Sequence, residues 1–416
     1  MHLEEFPRPD EDNGLGIHFG LDLRPIALET FVQRMSDLQI KWCLIPHTDD
    51  QQLARAAQYI GAAGIMPLSR WICHIDQNLL DFVQFVRVLD QLGLPAYIQI
   101  FNEPSDEREW RDNVYKPRAF ISRWCDHAAR VAEAGGLPGL QVLHTEELRA
   151  ILTELKSRNA SKVIEQMWFC PHPYGSNHPP DYPYDNRNQL DRPAATLAND
   201  DMTVLQFLEF APIFEAELGF VPPFIAGEGG WQYGNAEDGR YPRIADNTHA
   251  IYHAALFDWF RIGKLSNGEP LPDYLFAFCP WILFGAEADA WWSSTSGTRQ
   301  KTIDTIQATP PFVRQFGHHQ PTLSHYVLFG EPTETQRARL LLAQSYLTRF
   351  NITFGFSVQE ARRARQVTII GDQNVVGWDA EAEIKQAGCR IERLIGDTNA
   401  LTIILNDRLT RNIEFG

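Results

Sequence analysis

Residues 40–60, IKWCLIPHTDDQQLARAAQYI, decide the fold. IKWCLIP is apolar except for Lys41 and has no alternation, the pattern of a strand buried on both faces. The polar stretch HTDD interrupts it. Leu53, Ala56, Ala57 and Ile60 then recur at three- and four-residue spacing, which is the helical period. A strand, a short turn and a helix in that order form one unit of a parallel sheet, and such a unit needs like neighbours on both sides.

Working outward, seven more runs of the same kind appear: GLGIHFG (14–20), AAGIMPL (62–68), PAYIQIF (95–101), GLQVLH (139–144), QMWFCPH (166–172), PFIAGE (223–228) and YLFAFCPW (274–281). Helix-period segments lie between them, among them ALETFVQRMSDL, NLLDFVQFVRVLDQL and RAFISRWCDHAARVAEA. Eight strands with helical crossovers predict a (β/α)8 TIM barrel, with its active site at the C-terminal ends of the strands. The chain has 416 residues, enough for a barrel over 1–318 and a small α/β C-terminal module over 319–416. In the module, PTETQRARLLLAQSYLTRF reads as a helix opened by a threonine cap. QVTIIGD and WDAEAEIKQAGCRIERLIG read as strand, helix and strand, with Gly388 ending the helix. Two halves, 325–357 and 366–412, predict one small parallel sheet.

Hydrophobic residues are 44% of the chain and charged ones 22%, which predicts a globular core and no disorder. The 37 basic and 53 acidic residues leave a net charge of −16, a poor match for a phosphate backbone, so no nucleic acid partner is expected. No run of 18 apolar residues exists, and the start MHLEEFPRPDEDNG has no basic or apolar signal region. The expectation is therefore no membrane partner, and either a cytoplasmic chain or a trimmed secreted one. Cys43, Cys73, Cys125, Cys170, Cys279 and Cys389 stand singly in apolar surroundings and read as buried hydrophobes.

The strand exits carry polar residues: His18, His47, Arg70, Asn102 with Glu103, His144, His172 with Tyr174, Glu228 and Trp281. Breaking a glycosidic bond takes one carboxylic acid to protonate the leaving oxygen and one carboxylate to attack or stabilise the sugar carbon. Glu103 in IQIFNEPSD and Glu228 in FIAGEGGW close strands 4 and 7, which face one another across an eight-stranded barrel. Two long aromatic-rich loops, 171–193 and 229–243, follow strands 6 and 7 and predict a structured cleft wall.

On these residues the chain resembles the clan A glycoside hydrolases, retaining (β/α)8 glycosidases in which Asn-Glu, often Asn-Glu-Pro, closes strand 4 and a glutamate closes strand 7. The resemblance covers about residues 14–318 and rests on motifs at the strand ends. It implies Glu103 as acid/base, Glu228 as nucleophile and Asn102 as the ligand of the sugar 2-hydroxyl. It implies His172 and Tyr174 as the strand-6 pair, with Tyr174 hydrogen-bonded to the nucleophile, and Trp281 as the floor beneath the sugar. The expected partner is a carbohydrate substrate, with no cofactor. Two carboxyls at the retaining distance should not both ionise cheaply, so Glu103 is expected to keep its proton near neutrality.

The sequence departs from the family pattern at strand 2, whose exit is IPHTDD; the arginine comes one strand later, as Arg70. Arg70 either holds Glu228 ionised or pairs with an outer acid. His18, His47 and His144 read as hydrogen bonders at the barrel rim, with His18 also a candidate substrate-binding residue. Trp231, with Trp71, Trp110, Tyr233, Trp291 and Trp292, lies near strand exits and suits either sugar stacking or the core. Residues 367–397 also resemble one unit of the type-2 cell-wall-binding repeats, which normally come in several copies; a stabilising appendage is the other reading. Two further functions stay open: a non-catalytic carbohydrate-binding barrel, and a metal-dependent barrel hydrolase, although GIHFGLD offers only His18 where an HxH pair would be expected.

Overall fold

A computed structural model of the protein describes residues 3–314, 316, 323–387 and 389–415. The chain divides into two compact units, Met1–Arg314 and Gln315–Gly416.

In the first unit, β1 (Gly16–His18), β2 (Trp42–His47), β3 (Met66–Trp71), β4 (Tyr97–Ile100), β5 (Leu137–Leu140), β6 (Trp168–Phe169), β7 (Phe224–Ala226) and β8 (Leu275–Phe278) pair in chain order, all parallel. A parallel bridge between Leu15 and Phe278 joins the last strand to the first, so the unit is a (β/α)8 barrel. Its helices are α1 (Pro25–Asp37), α2 (Asp50–Ala62), α3 (Val83–Gln91), α4 (Pro117–Glu133), α5 (Thr145–Ser157), α6 (Ser161–Gln166), α7 (Asn186–Asp191), α8 (Ala211–Leu218), α9 (Asp246–Ile262) and α10 (Gln300–Gln307). Three two-residue strands, β9 (Phe284–Gly285), β10 (Trp292–Ser293) and β11 (Gly297–Thr298), form a small sheet in the loop after β8.

Each apolar run of the sequence contains or overlaps a barrel strand, but two boundaries move for local reasons. β5 begins at Leu137, ahead of the run at 139–144, because Pro138 lies inside the strand opposite Ile98 although it reads as a turn residue. α3 starts at Val83, after the expected NLL, because Leu79 adopts φ +59° and is fully exposed. A left-handed leucine ends any helical register there.

The lower barrel is filled by one aromatic layer from alternate strands: Trp42 of β2, Tyr97 of β4, Trp168 of β6 and Phe276 of β8. Ring centroids are 5.8 Å apart for Trp42 and Tyr97, 5.7 Å for Tyr97 and Trp168, and 6.3 Å for Trp42 and Phe276. On β5 the layer needs Gly139, since a Cβ there would lie 2.5 Å from the Trp168 indole. Trp168→Ala should therefore cost about 3–5 kcal/mol, because the layer cannot close over the gap. Urea denaturation would check it, and a loss below about 1 kcal/mol would show that the layer repacks.

The second unit holds β12 (Leu323–Leu328), β13 (Thr353–Gly355), β14 (Ala364–Ile370) and β15 (Arg390–Leu394) in one parallel sheet ordered β13-β12-β14-β15. Its helices are α11 (Glu334–Arg349), α12 (Val358–Ala361), α13 (Trp378–Gln386) and α14 (Thr398–Arg411). The Thr333 side chain caps α11 by accepting from the Gln336 backbone N–H, as the sequence predicts. Alternation divides the core: Tyr326, Leu328, Val367 and Ile369 belong to one cluster, and Val327, Phe329, Ile370 and Leu394 to the other. The expected helix stop at Gly388 lies outside the described residues. Five of the six cysteines are buried, Cys73 is half-buried, and all are free thiols. Among the described residues no helix is long and apolar enough to cross a membrane.

Candidate active site

The exits of β6, β7, β8 and β1 are stitched together by backbone bonds just above the barrel. After Glu228 the chain turns through Gly229 and Gly230, at φ +141° and +80°, values that L side chains rarely adopt. Gly230 N–H donates to Pro173 O at 3.1 Å, and Gly175 N–H donates to Gly230 O at 2.9 Å. This bridge sets Tyr174 beside Glu228, and its hydroxyl donates to Glu228 Oε2 at 2.9 Å. Trp281 N–H donates to Gly229 O, and His18 N–H donates to Pro280 O, both at 3.0 Å. The rings of His18 and Trp281 consequently lie 4.5 Å apart.

Arg70, at the end of β3, directs Nη1 onto Glu228 Oε1 as an ion pair and donates to His18 Nε2 at 3.2 Å. Because arginine only donates, His18 must accept through Nε2 and carry its proton on Nδ1, which lies 2.6 Å from Phe19 O. Burial, with the charge of Arg70, pushes the His18 pKa well down, so the ring is neutral. Of the two expectations for Arg70, pairing with Glu228 is the arrangement present.

Glu103 stands opposite. The chain leaves β4 through two non-glycine residues at positive φ, Phe101 at +63° and Glu103 at +30°, a backbone that surrounding structure must hold in place. His172 Nδ1 lies 3.0 Å from Glu103 Oε1 and 3.8 Å from Glu228 Oε2. One ligand-type atom from each of Glu103, His172 and Glu228 lies within 4.8 Å of the others. Such a trio can hold a metal ion, but here Arg70 and Tyr174 already occupy both oxygens of Glu228.

The protonation expected for Glu103 is corrected by its surroundings. Burial pushes its pKa up, but the hydrogen bond from His172, the charge His172 carries when protonated and the nearby charge of Arg70 outweigh burial and leave it below the ordinary value. His172 is itself pushed down, by burial first and then by Arg70 against the pull of Glu103. The resting pair is a neutral imidazole donating to an ionised carboxylate.

Asn102 is half-buried beside Glu103. Its Oδ1 accepts from Gln99 Nε2 at 3.3 Å, and its Nδ2 donates to Glu109 Oε1 at 2.9 Å. The structure thus gathers Glu103, Glu228, Asn102, His172, Tyr174, Trp281, Arg70 and His18 at one end of the barrel.

Trp231 does not join them. Its indole is fully buried, donates to His178 O at 2.8 Å and packs on Tyr252 and His253, so no face is left for a sugar. Trp110 and Trp291 are fully buried as well. His47 bonds Ser69 Oγ at 2.8 Å and lies edge-on to Phe85, and His144 is an exposed residue at the start of α5. The loops after β6 and β7 do form a structured wall: Asn177 Nδ2 donates to Asp238 O at 2.8 Å, and Tyr241 Oη donates to Asp185 Oδ1 at 3.0 Å. Two acids near the site escaped the sequence reading. Glu109 ends the short helical turn Glu107–Glu109 and is revealed only by its hydrogen bond from Asn102, and Asp289 lies in the loop after β8, where burial pushes its pKa up.

No protein-family model matches the chain, and no curated protein sequence matches it. Among solved structures it is similar to an endo-laminarinase from Formosa, with 12% identity and a TM-score of 0.41 over 70% of this chain and 83% of that one. It is also similar to a family 51 α-L-arabinofuranosidase from Bifidobacterium longum, with 11% identity and a TM-score of 0.42 over 73% of this chain and 74% of that one. A third, the citrate synthase SbnG, has 12% identity and a TM-score of 0.19 over 50% of this chain and 96% of that one.

Proposed function

We propose that the protein is a glycoside hydrolase that cleaves O-glycosidic bonds of an oligo- or polysaccharide with retention of configuration. The observation that carries this reading is a pair of carboxylates from opposite strands of the barrel, with oxygens within 4.8 Å of one another, each served by its own donors. Retaining enzymes bring their carboxyl groups to about 5–5.5 Å, whereas inverting ones leave room for a water.

In this reading Glu228 attacks the anomeric carbon. Arg70 and Tyr174 hold its oxygens in place and favour the charged carboxylate. Glu103 delivers a proton to the departing oxygen, then takes one from the water that clears the glycosyl-enzyme. Asn102 holds the 2-hydroxyl, whose hydrogen bond strengthens as positive charge develops on the ring, and Trp281 supplies an apolar floor.

Screening nitrophenyl glycosides and polysaccharides, with product anomers followed by NMR, tests the reading. The expected result is turnover with the β or α configuration preserved; initial inversion, or binding without turnover on every substrate, would overturn it.

The acid step also fixes a pH dependence. The free enzyme needs Glu103 protonated, yet its surroundings hold it below the ordinary value of 4.5. The productive fraction therefore shrinks as pH rises, by about tenfold per unit once Glu103 is ionised. The kcat/KM profile should peak on the acid side, below about pH 5. A profile still rising at pH 7 would show that Glu103 is not the proton donor of the free enzyme.

A further inference from the structure

We infer that Glu109 is a positioning residue that fixes the amide of Asn102 for the sugar hydroxyl; this rests on the glycosidase reading above. Glu109 lies seven residues beyond Asn102, and a closed loop brings it back. Asp106 caps the short helical turn Glu107–Glu109, and fully buried Trp110 donates its indole N–H to Pro104 O at 2.8 Å, folding the loop onto the Asn-Glu-Pro segment. Ile75 N–H, from the loop after β3, holds Glu109 O at 2.9 Å. So Trp110 acts on the site through the loop it anchors.

An asparagine amide has a donor end and an acceptor end, and rotating it by half a turn exchanges them. Two neighbours prevent that here. Gln99 donates to Asn102 Oδ1, and its own amide is set by Cys170 Sγ, which donates to Oε1 at 3.4 Å, and by Phe101 O, 3.2 Å from Nε2. Glu109 defines the other end, since a carboxylate accepts from the NH₂ group. With one N–H and one Oδ1 lone pair thus used, Asn102 keeps one N–H and one lone pair, both in fixed directions, for a hydroxyl. Burial pushes the Glu109 carboxyl up, and its Oε1 can accept from the amide whether or not the group is ionised, so the amide keeps its orientation on the acid side as well.

Because the 2-hydroxyl contact strengthens in the transition state, losing its alignment should appear in kcat and not in KM. On the glycoside identified by screening, Glu109→Ala should lower kcat about 10- to 100-fold with KM changed less than about threefold. On the 2-deoxy counterpart, which lacks the hydroxyl, the same substitution should cost less than about threefold. Glu109→Gln, which can still accept from Asn102, should recover most of the activity, and Asn102→Ala with Glu109→Ala should be no worse than Asn102→Ala alone. Equal losses on the two substrates, or additive losses in the double variant, would overturn the inference.

A second measurement needs no turnover. In ¹⁵N-asparagine-labelled protein, the side-chain amide signal missing from Asn102→Ala should show slow proton exchange in the wild type and fast exchange in Glu109→Ala. Unchanged exchange would remove the hydrogen bond on which the inference stands. A wild type that turns over no glycoside, with the exchange result as expected, would refute the glycosidase reading and leave the Glu109–Asn102 coupling intact.

Discussion

A Glu228→Ala protein is expected to lose turnover of glycosides by about 10⁴-fold or more, because no other group occupies the position from which the anomeric carbon is attacked. That factor corresponds to about 5.5 kcal/mol of transition-state stabilisation, more than any single hydrogen bond in the site could supply. The substitution also removes the carboxylate that Arg70 contacts, and breaking a buried pair costs up to about 3–5 kcal/mol, less here because Glu103 and Glu109 remain near Arg70. Glu228→Gln, which keeps the shape and offers Arg70 an amide oxygen, is the companion that separates lost chemistry from lost fold. Both should be inactive, and the glutamine variant should unfold close to the wild-type midpoint. Azide fits the volume freed in Glu228→Ala and would attack from the same face as the missing carboxylate, so added azide should restore turnover and release a glycosyl azide of inverted configuration. Full activity in Glu228→Gln would end the nucleophile assignment.

The barrel was legible in the sequence because each strand is buried on both sides and must be a continuous apolar run. β6 and β7 are regular for only two and three residues, yet QMWFCPH and PFIAGE mark them, since burial extends beyond the paired residues. What misled was local chemistry with two readings. Pro138 signals a turn but occupies a strand, and Leu79 fits an apolar helix period but sits in a left-handed turn.

The site divides the same way. Residues at strand ends were found because a parallel barrel carries every strand end to one rim; that rule brought Arg70 and Glu228 to the same rim but left open whether Arg70 met Glu228 or an outer acid, and the contact with Glu228 comes from the structure. Residues that reach the site from loops carry no such mark. Glu109 looks like one acid among several in SDERE, and its role depends on Trp110 folding that loop back. Aromatic side chains failed in the opposite sense. Trp231 follows Glu228 by three residues, but burial depends on partners in distant loops, here His178, Tyr252 and His253, and no spacing rule encodes them.

Glu103→Ala should behave differently from the Glu228 variants, and in a way that depends on the substrate. An acid catalyst matters in proportion to how poorly the departing oxygen bears negative charge. On an oligosaccharide, whose leaving group is a sugar alkoxide, the loss should reach about 10³- to 10⁴-fold. On a dinitrophenyl glycoside, whose leaving group is stable as an anion, the first step should stay within about tenfold of wild type. The second step still needs a base to activate water, so the glycosyl-enzyme should accumulate and the first turnover should appear as a burst. Azide needs no base. In this variant it should intercept the intermediate held on Glu228 and give a glycosyl azide of retained configuration, the opposite of the product expected from Glu228→Ala. His172 would remain beside the gap as a neutral ring, lacking the carboxylate to which it now donates. Opposite anomers from the two alanine variants would assign each carboxylate its own face of the sugar. The same anomer from both, or equal losses on good and poor leaving groups in Glu103→Ala, would mean that Glu103 positions the substrate without transferring a proton.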